Sequence, residues 1–327
     1  PQKPIDMPIA TPQGTLSEEH LNPTLKAALA NNFRIALYRL PHEETVRLIF
    51  GPSEFHFIDT LSDDKEAFLL ASFNYQNQLL AIEPTQVFTL EEEAAESELV
   101  WHQREPQDEG LEKEDFKKLA RYSIEQIKAG SFDKVVAANK KVVDLPDEFG
   151  PLSYFFNLVQ HYPGAFISLT STPQYGTWVG ATPELLLSFD QQSIHTEALA
   201  GTKSPADEEG FTEKEEQEQA LVSQYIESCF DGLGMPYQRE GPQTIKAGSL
   251  SHIKTYYSAG LDGQKNDVWK SVLNRLHPTP AVCGYPYQVT KIFIRNEEPF
   301  DRELYTGFLG PYHPDAKSEF YVNLRCM

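Results

Sequence analysis

One glutamate occupies a position where the surrounding residues predict an apolar strand. Glu184 follows the turn "GATP" and precedes three leucines in "WVGATPELLLSF", residues 178–189. A carboxyl group withdrawn from water by such neighbours would stay protonated near neutral pH and donate a proton to a leaving group. A carboxylate at a strand edge, facing water, is the ordinary alternative. The local sequence leaves both interpretations open.

A lysine stands in a comparable setting. Lys134 precedes Val135 and Val136 in "FDKVVAANKKVVDL", and this apolar run predicts a strand over 132–145. Lysine in such a strand usually extends its ammonium group to solvent along its apolar stem. If the amine instead enters a closed cleft, desolvation leaves part of it neutral and able to accept a proton. The residues alone support either a solvated lysine or a general base.

The segment "FTEKEEQEQALVSQYIESCF", residues 211–230, predicts a helix whose glutamates are sorted by face. Its apolar positions 221, 222, 225, 226 and 229 continue backwards, by helical spacing, onto Glu218 and Glu215. Glu213 and Glu216 fall on the solvated side. Two inward carboxylates at i and i+3 suit a hard cation, with Mg2+ the obvious candidate. Carboxylates also favour the first turn through the helix dipole, so a purely structural interpretation stays open.

Three polar residues near the C-terminus lie in segments that predict strands. They are His252 in "SHIKT", Tyr305 in "LYTGFLG" and Arg325 in "FYVNLRC". Arg325 is out of phase with the alternating apolar positions 320, 322 and 324, which places it on the opposite face. A guanidinium group facing a cleft would clamp a carboxylate through two hydrogen bonds. One facing outward would pair with the acidic surface, and both interpretations stay open.

Composition excludes several classes of function. The chain has 327 residues and a formal net charge of −20, so neither nucleic acid nor an anionic membrane is an expected partner. The sequence lacks a P-loop, a GxGxxG, an HExxH, a GxSxG and an EF-hand loop. Its three cysteines have no CxxC spacing, which predicts neither a disulfide framework nor structural zinc. Without a long apolar span or a secretory signal, a cytoplasmic protein is expected.

Long helices alternate with hairpins, which predicts an α+β layered architecture rather than a doubly wound sheet. The helix predicted over 111–130 places Phe116, Leu119, Ala120, Ile124 and Ile127 on one face, with the residue at 130, a glycine, ending it. Other helices are predicted near 151–161, 212–230 and 266–276. Strands are predicted at 33–40, 45–50, 66–73, 132–145, 164–170, 177–181, 251–258, 304–312 and 318–325.

Two acidic stretches, 91–98 and 104–110, predict a solvated connector. We therefore divide the chain into an N-terminal strand-rich part, 1–105, and a catalytic region, 106–327. The first hundred or so residues give no indication of function, and their short alternating segments indicate antiparallel strands.

Taken in order, the motifs of the second region resemble the chorismate-utilising enzymes, which comprise isochorismate, anthranilate, aminodeoxychorismate and salicylate synthases. The segments that carry this resemblance are "DKVVAA", "WVGATPELLL", "TEALAGT", "EKEEQEQALV", "SHIKT", "LHPTPAVCGYP", "EPFDRELYTGFLG" and "YVNLRC". They cover most of residues 111–326, and their occurrence together in this order is highly specific. The resemblance implies the layered fold of anthranilate synthase component I, in which two packed antiparallel sheets are flanked by helices.

The resemblance also implies roles for individual residues. Glu184 looks like the general acid and Lys134 like the base that activates water. Glu218 corresponds to the Mg2+-binding glutamate, and Glu215 to its helper in the outer shell of the metal. The positions that match the pocket for chorismate are Gly201, Thr202, His252, Ala281, Tyr305 and Arg325, the last two near the enolpyruvyl carboxylate.

The implied activity is that of an isochorismate synthase, a Mg2+-dependent isomerase of menaquinone or siderophore biosynthesis, expected as a monomer or weak dimer. Water would add at C2 of chorismate while the C4 hydroxyl leaves. Ala200 stands where aminodeoxychorismate synthases resemble "KGT", Tyr287 where aminating relatives show lysine, and Ala281 where salicylate synthases typically have threonine. The alternatives are those sister synthases, or a chorismate-binding protein without turnover.

The chain departs from the family pattern in two places. Gln219 follows Glu218 where relatives usually have histidine. Relatives also continue beyond the "LRC" strand into an "EWxET" helix with a second Mg2+ glutamate and a substrate-binding lysine, whereas this sequence ends at Met327 and begins with Pro1. We therefore expect both ends to be trimmed and the intact polypeptide to extend about fifty residues further.

Overall fold

The computed structural model describes residues 13–62, 65–90, 99–105, 110–146, 148–204, 210–247, 250–261 and 267–327. The predicted acidic connector at 91–98 lies outside these ranges. Six helices occur in the described part of the chain: α1 Glu18–Ala30, α2 Lys113–Lys128, α3 Pro151–His161, α4 Glu213–Asp231, α5 Val268–Leu276 and α6 Tyr287–Glu297. Of these helices, none is long and apolar enough to span a membrane.

Seventeen strands are found in the same ranges. They are β1 Gln13–Leu16, β2 Arg34–Arg39, β3 Val46–Gly51, β4 Ser53–Phe57, β5 Ala67–Ala71, β6 Gln78–Ile82, β7 Gln86–Leu90, β8 Lys134–Val135, β9 Phe166–Thr172, β10 Gly176–Thr182, β11 Leu185–Phe189, β12 Ser193–Lys203, β13 Gln238–Ala247, β14 Leu250–Gly260, β15 Gly284–Tyr285, β16 Phe308–Tyr312 and β17 Ser318–Val322.

The chain forms two compact units, each built from separate stretches of sequence. The first contains residues 1–105, 145–185 and 303–327, and the second contains 106–144 and 186–302. The division into an N-terminal part, 1–105, and a catalytic region, 106–327, stays a prediction.

The first unit contains two layers of strands. One layer has the order β1-β7-β3-β2-β9-β10, and its pairs are antiparallel except for β1 with β7. The other has the order β17-β16-β5-β6-β4, with antiparallel pairs throughout. The central strands of both layers are apolar on both sides, as in "FLLA" of β5, because each of them is covered on both faces.

The core of the first unit lies between these layers. Tyr38, Phe68, Phe166 and Tyr321 meet there, and the last two rings stack in parallel with centroids 4.3 Å apart. A second apolar cluster covers the opposite face of the six-stranded layer with residues from α1 and α3. The predicted arrangement, two packed sheets flanked by helices, is therefore confirmed, with one parallel pair added to the antiparallel pattern.

The second unit contains a smaller antiparallel sheet with the order β13-β14-β12-β11. Helix α4 covers one face of this sheet with Val222, Ile226 and Phe230, all of which are buried. Phe189 at the end of β11 stacks on Trp269 of α5, with ring centroids 4.6 Å apart. This sheet and α4 carry five of the ten residues proposed below for the site.

Two of the predicted elements are wrong in detail. The strand predicted over 132–145 shrinks to the two residues of β8, and Val142 and Val143 are exposed. In α2 the buried side chains are Leu119 and Ser123, whereas Ile124 is 50% exposed. An apolar run therefore did not indicate a buried strand, and the helix face is rotated from the predicted stripe.

The end of α2 confirms the predicted glycine stop. Gly130 has a positive φ of 77°. Its N–H donates to the carbonyl of Ile127, and the N–H of Ser131 donates to the carbonyl of Gln126, both at 3.0 Å. These two bonds define a Schellman motif, which satisfies the last carbonyls of the helix.

The three cysteines are free thiols. Burial raises the pKa of Cys229 and of Cys326 to about 12. Burial likewise raises the pKa of Cys283. Thiols of this kind remain protonated at neutral pH and are poor nucleophiles.

A buried arginine ties strand β2 to the loop between α3 and β9. Arg39 is 2% exposed, and its Nη1 donates to the carbonyls of Leu40 and Pro163 at 3.0 and 2.7 Å. Its Nη2 donates to the carbonyls of Tyr162 and Ala165 at 2.6 and 3.1 Å. The guanidinium group therefore adds hydrogen bonds to four main-chain carbonyls, three of which also accept from a main-chain N–H.

We expect Arg39→Met to lower the free energy of unfolding by about 2–4 kcal/mol, because it removes several hydrogen bonds made by a charged group in the protein interior. Arg47→Met is the control, since Arg47 forms a surface ion pair with Glu43 and should cost about 1 kcal/mol or less. Urea denaturation of both variants measures the difference. Equal losses would contradict the role assigned to Arg39.

Candidate active site

A predicted lysine and a predicted glutamate form an ion pair in the second unit. The Nζ of Lys134 lies 2.8 Å from Oε1 of Glu218, and the two side chains are 14% and 34% exposed. The interpretation that Lys134 extends its amine to solvent is therefore wrong. A half-buried ammonium and a carboxylate at this distance compensate each other's charge.

The strand that carries Lys134 is short and depends on one close approach. β8 pairs with β15, in the register Lys134 opposite Tyr285 and Val135 opposite Gly284. Gly284 has φ 137°, and a Cβ there would lie only 2.3 Å from the main-chain oxygen of Lys134. Only glycine permits this approach without a shift of the backbone.

The helix that carries Glu218 begins with a capping box. The side chain of Thr212 accepts from the main chain of Glu215, and Oε2 of Glu215 accepts from the N–H of Thr212 at 2.9 Å and from its hydroxyl. The Glu215 carboxylate thus serves as a helix cap in this structure. This supports the structural interpretation of the Glu-rich helix start, and a part for Glu215 in metal binding stays a prediction.

Gln219 fixes the rotation of α4 about its axis. Its amide Nε2 donates to Oγ1 of Thr255 on β14 at 2.7 Å and to Oγ of Ser223 at 2.9 Å, and all these side chains are buried. Gln219 stands where the resemblance leads one to expect histidine. Its bond to β14 sets the direction in which the neighbouring Glu218 leaves the helix.

Gly201 lets α4 approach strand β12. It has φ 72°, and a Cβ there would lie 3.1 and 3.2 Å from the oxygen and Cβ of Glu215. The register of β12 against β14 shifts at this residue, between Ala200 and Thr202. Beyond the bulge, Thr202 lies opposite His252, and its Oγ1 is 3.1 Å from Nδ1 of that imidazole.

The structure thus brings six of the predicted residues into the second unit. These are Lys134, Gly201, Thr202, Glu215, Glu218 and His252, on β8, β12, α4 and β14. Ala281 is in the same unit, in a turn three residues before β15.

Glu184 lies in the first unit, between β10 and β11. The residue is 8% exposed, so the interpretation of a carboxylate facing water is wrong. Its N–H donates to Oγ1 of Thr182 at 3.3 Å, and its carbonyl accepts from the N–H of Val322 at 3.0 Å. The main chain of Glu184 is therefore fixed beside the end of β17.

Tyr305 and Arg325 also lie in the first unit, but neither is in a strand as predicted. Tyr305 is in the turn before β16, and Arg325 is exposed, with φ 50°, in a bend after β17. The alternation from Phe320 misled the prediction, because positions 320–323 are buried on both sides and define no face. The carbonyl of Arg325 accepts from the N–H of Ala181 at 3.2 Å, which anchors the bend.

The carboxylate oxygens on α4 are the type of ligand that a hard cation prefers. Mg2+ is commonly held by one or two carboxylates together with water and anionic oxygens of a substrate. Glu218 and Glu215 are one helical turn apart and both are half-buried, so the carboxylate of Glu218, with Glu215 beside it, would supply part of such a shell. Within the described ranges, no group of three or more His, Cys, Asp or Glu side chains is arranged to hold a metal.

The fold resembles that of solved enzymes. MenF, the menaquinone-specific isochorismate synthase from Escherichia coli, gives a TM-score of 0.68 at 19% identity, over 90% of this chain and 79% of that one. Anthranilate synthase component I from Streptococcus pneumoniae TIGR4 gives 0.62 at 14% identity, over 90% and 84%. The fold is thus the α+β layered fold of anthranilate synthase component I, as predicted.

Sequence comparison identifies the family. Residues 65–327 match the family described as chorismate binding enzyme. Isochorismate synthase EntC from Escherichia coli (strain K12) is 32% identical over 165 residues, which are 46% of this chain and 41% of EntC. Because the family match covers well over half of the sequence, the chain belongs to the chorismate binding enzyme family. It spans less than half the length of EntC.

The capping box generates a pH prediction. Hydrogen bonds from the Thr212 side chain and then its main chain hold the pKa of Glu215 below its usual value of 4.5. A carboxyl group whose pKa is depressed by folding stabilises the native state above the pKa of the unfolded chain, and this contribution is lost as pH falls through the folded pKa.

We therefore expect Glu215→Ala to lower the thermal midpoint at neutral pH by an amount that shrinks once the pH falls below 4.5. Glu216→Ala is the matched control, because Glu216 is exposed and lies outside the capping box. Thermal unfolding followed by circular dichroism across this range measures both. A difference for Glu215→Ala that stays constant with pH would contradict the ionised cap.

Proposed function

We propose that this protein is an isochorismate synthase, an isomerase that converts chorismate to isochorismate with Mg2+. The observation that carries the proposal is the Lys134 amine, held 2.8 Å from the Glu218 carboxylate. Membership of the chorismate binding enzyme family supplies the substrate class. The names of the matching relatives, isochorismate synthases EntC and MenF, support this reaction over its sister reactions.

Lys134 is the proposed general base. With its side chain 14% exposed, the amine is withdrawn from bulk water, and a lysine so placed can exchange a proton with a bound reactant. In the structure the amine forms an ion pair with the carboxylate of Glu218.

Glu184 is the proposed general acid. Its burial supports the protonated form, because desolvation disfavours the charged carboxylate. The hydrogen bonds to Thr182 and Val322 hold the main chain of the residue in place. The proposed role would explain why an acidic residue precedes the leucines of β11.

The reaction balances with these two groups. Water gives one proton to Lys134 as its oxygen bonds to C2 of chorismate, and the ring double bonds shift. The C4–oxygen bond then breaks, and the departing hydroxyl takes a proton from Glu184. One water enters and one leaves, so the product is an isomer of the substrate and no oxidant or reductant is needed.

Glu218 is the residue proposed to bind Mg2+, with Glu215 in support. The cation would offset the negative charge of a dicarboxylate substrate in a chain whose net charge is −20. For the substrate, the proposed contacts are Gly201, Thr202, His252, Ala281, Tyr305 and Arg325. Arg325 and Tyr305 are proposed for the enolpyruvyl carboxylate.

The first test identifies the product. We expect the purified full-length protein to convert chorismate to isochorismate in the presence of Mg2+, without pyruvate, and to lose this activity in EDTA. Liquid chromatography with mass detection distinguishes the outcomes. Salicylate with pyruvate would assign a lyase-competent relative, anthranilate or aminodeoxychorismate formed with ammonia an aminating one, and binding without any product a non-catalytic protein.

The second test addresses the acid and the base. Lys134→Ala and Glu184→Gln should each lower kcat by about 10²–10⁴-fold, the usual share of general acid–base catalysis, while chorismate binding largely persists. Lys141→Ala and Glu54→Gln are matched controls, since both residues are exposed and belong to the same two units. Stopped assays with binding measured by calorimetry give both quantities. A near-normal kcat for either site variant would remove that residue from the mechanism.

A further inference from the structure

A second ion pair, deeper than the first, lies in the same unit. The Nε of Arg302 is 2.7 Å from Oε2 of Glu298, and its Nη2 is 2.5 Å from Oε1. The two side chains are only 1% and 2% exposed. The residues are four apart, in the segment "EPFDR" that follows α6, and the proposed chemistry uses neither of them.

The pair is hydrogen-bonded to the main chain of two segments, one that follows β8 and one that precedes β15. Arg302 donates through Nη2 to the carbonyl of Val136 at 2.7 Å and through Nη1 to that of Val282 at 3.0 Å. Glu298 accepts from the N–H of Ala138 through Oε1 at 2.8 Å. The contacts thus fall two and four residues after Lys134, and two residues before β15 begins.

The β8–β15 ladder is too short to fix Lys134 by itself. Each strand has two residues, and the ladder is extended only by the N–H groups of Asp133 and Val136, which donate to the carbonyls of Tyr285 and Cys283 at 2.9 Å. A two-stranded ribbon of this size is marginal in water. The buried pair supplies the additional bonds that hold both of its segments.

Stability alone gives no reason for such a pair. Burying two charges costs desolvation energy that their attraction barely repays, and apolar residues of similar size often replace such pairs without loss. What apolar residues do not provide is hydrogen bonding to Val136, Ala138 and Val282. The specific contribution of the pair is therefore the placement of these main-chain segments.

We propose that Arg302 and Glu298 are positioning residues, which hold β8 so that the amine of Lys134 meets its partner on α4. They touch no reacting atom, and they act through the main chain of residues 136, 138 and 282. The inference deepens the proposed function and depends on it, since Lys134 matters for catalysis only if that proposal holds.

Two variants test the inference. Arg302→Lys keeps a positive charge but cannot make the forked bonds to Glu298, Val136 and Val282 together. The double substitution Arg302→Met with Glu298→Leu removes both charges, so the fold is retained while all three main-chain bonds are lost. Arg39→Lys is the matched control, because Arg39 is an equally buried arginine whose partners are carbonyls at 40, 162, 163 and 165 in the first unit.

We expect both variants to lower kcat by about 10–100-fold with little change in KM, since displacement of a catalytic group by about 1 Å can cost two orders of magnitude. Arg39→Lys should leave kcat nearly unchanged, even if its thermal midpoint falls as far as those of the two Arg302 variants. Wild-type kcat in the double variant, or an equal loss of kcat in Arg39→Lys, would overturn the proposal.

Hydrogen exchange provides a readout that does not need turnover. Amides of the peptide 132–138 should lose protection in both Arg302 variants and keep it in Arg39→Lys, because only the former remove bonds to this segment. Unchanged exchange in that peptide would also overturn the proposal. If the wild-type protein makes no isochorismate, the proposed function fails, and the exchange data still decide whether the pair fixes β8.

Discussion

The contact between the Lys134 amine and the Glu218 carboxylate is the constraint on which the arrangement of the second unit depends. Glu218 belongs to a helix of 19 residues, but the strand of Lys134 is too short to place its side chain unaided. The lysine sits on a two-residue strand and the glutamate one and a half turns into a helix. Long side chains such as these are flexible. A contact of 2.8 Å between them therefore requires that other residues hold both backbones in place.

Each backbone is fixed by a different kind of interaction. α4 is set along its axis by the capping box and by the close approach that Gly201 allows, and about its axis by the bond from Gln219 to Thr255. β8 is set by the close approach at Gly284 and by the buried Arg302–Glu298 pair. Glycine and buried polar groups thus appear where apolar packing cannot specify a position to within a fraction of an ångström.

Much of the architecture followed from residue patterns because its elements are covered on both faces or begin and end with strong signals. β5, β9 and α4 were predicted closely, since continuous apolar runs and a threonine-led Glu-rich helix start mark such elements. β8 was predicted too long because the valines at 142 and 143 resemble a strand, whereas the carbonyl and N–H groups after Lys134 are bonded to side chains from residues 298 and 302. A local sequence pattern contains no information about hydrogen-bond partners so distant in the chain.

The candidate site was predictable where a single short motif indicates the chemistry of a residue. Lys134, Glu184 and Glu218 were selected from their settings, but the settings left solvated alternatives that only burial removed for the first two. For Arg325 the local pattern was misleading. Its alternation with apolar neighbours predicted a strand, whereas the chain bends at this residue with a positive φ. Position in a short turn depends on contacts with other segments, such as the bond from Ala181, which a local pattern does not contain.

The order of motifs along the chain follows from the way in which the two units share it. The chain passes from one unit to the other at 105/106, 144/145, 185/186 and 302/303. Lys134 lies before the second of these passages, Glu184 immediately before the third, and the Glu218 helix before the fourth. Consecutive motifs therefore belong to alternate units, so that no contiguous fragment could carry Lys134 and the Glu218 helix without also carrying the strand that leads to Glu184.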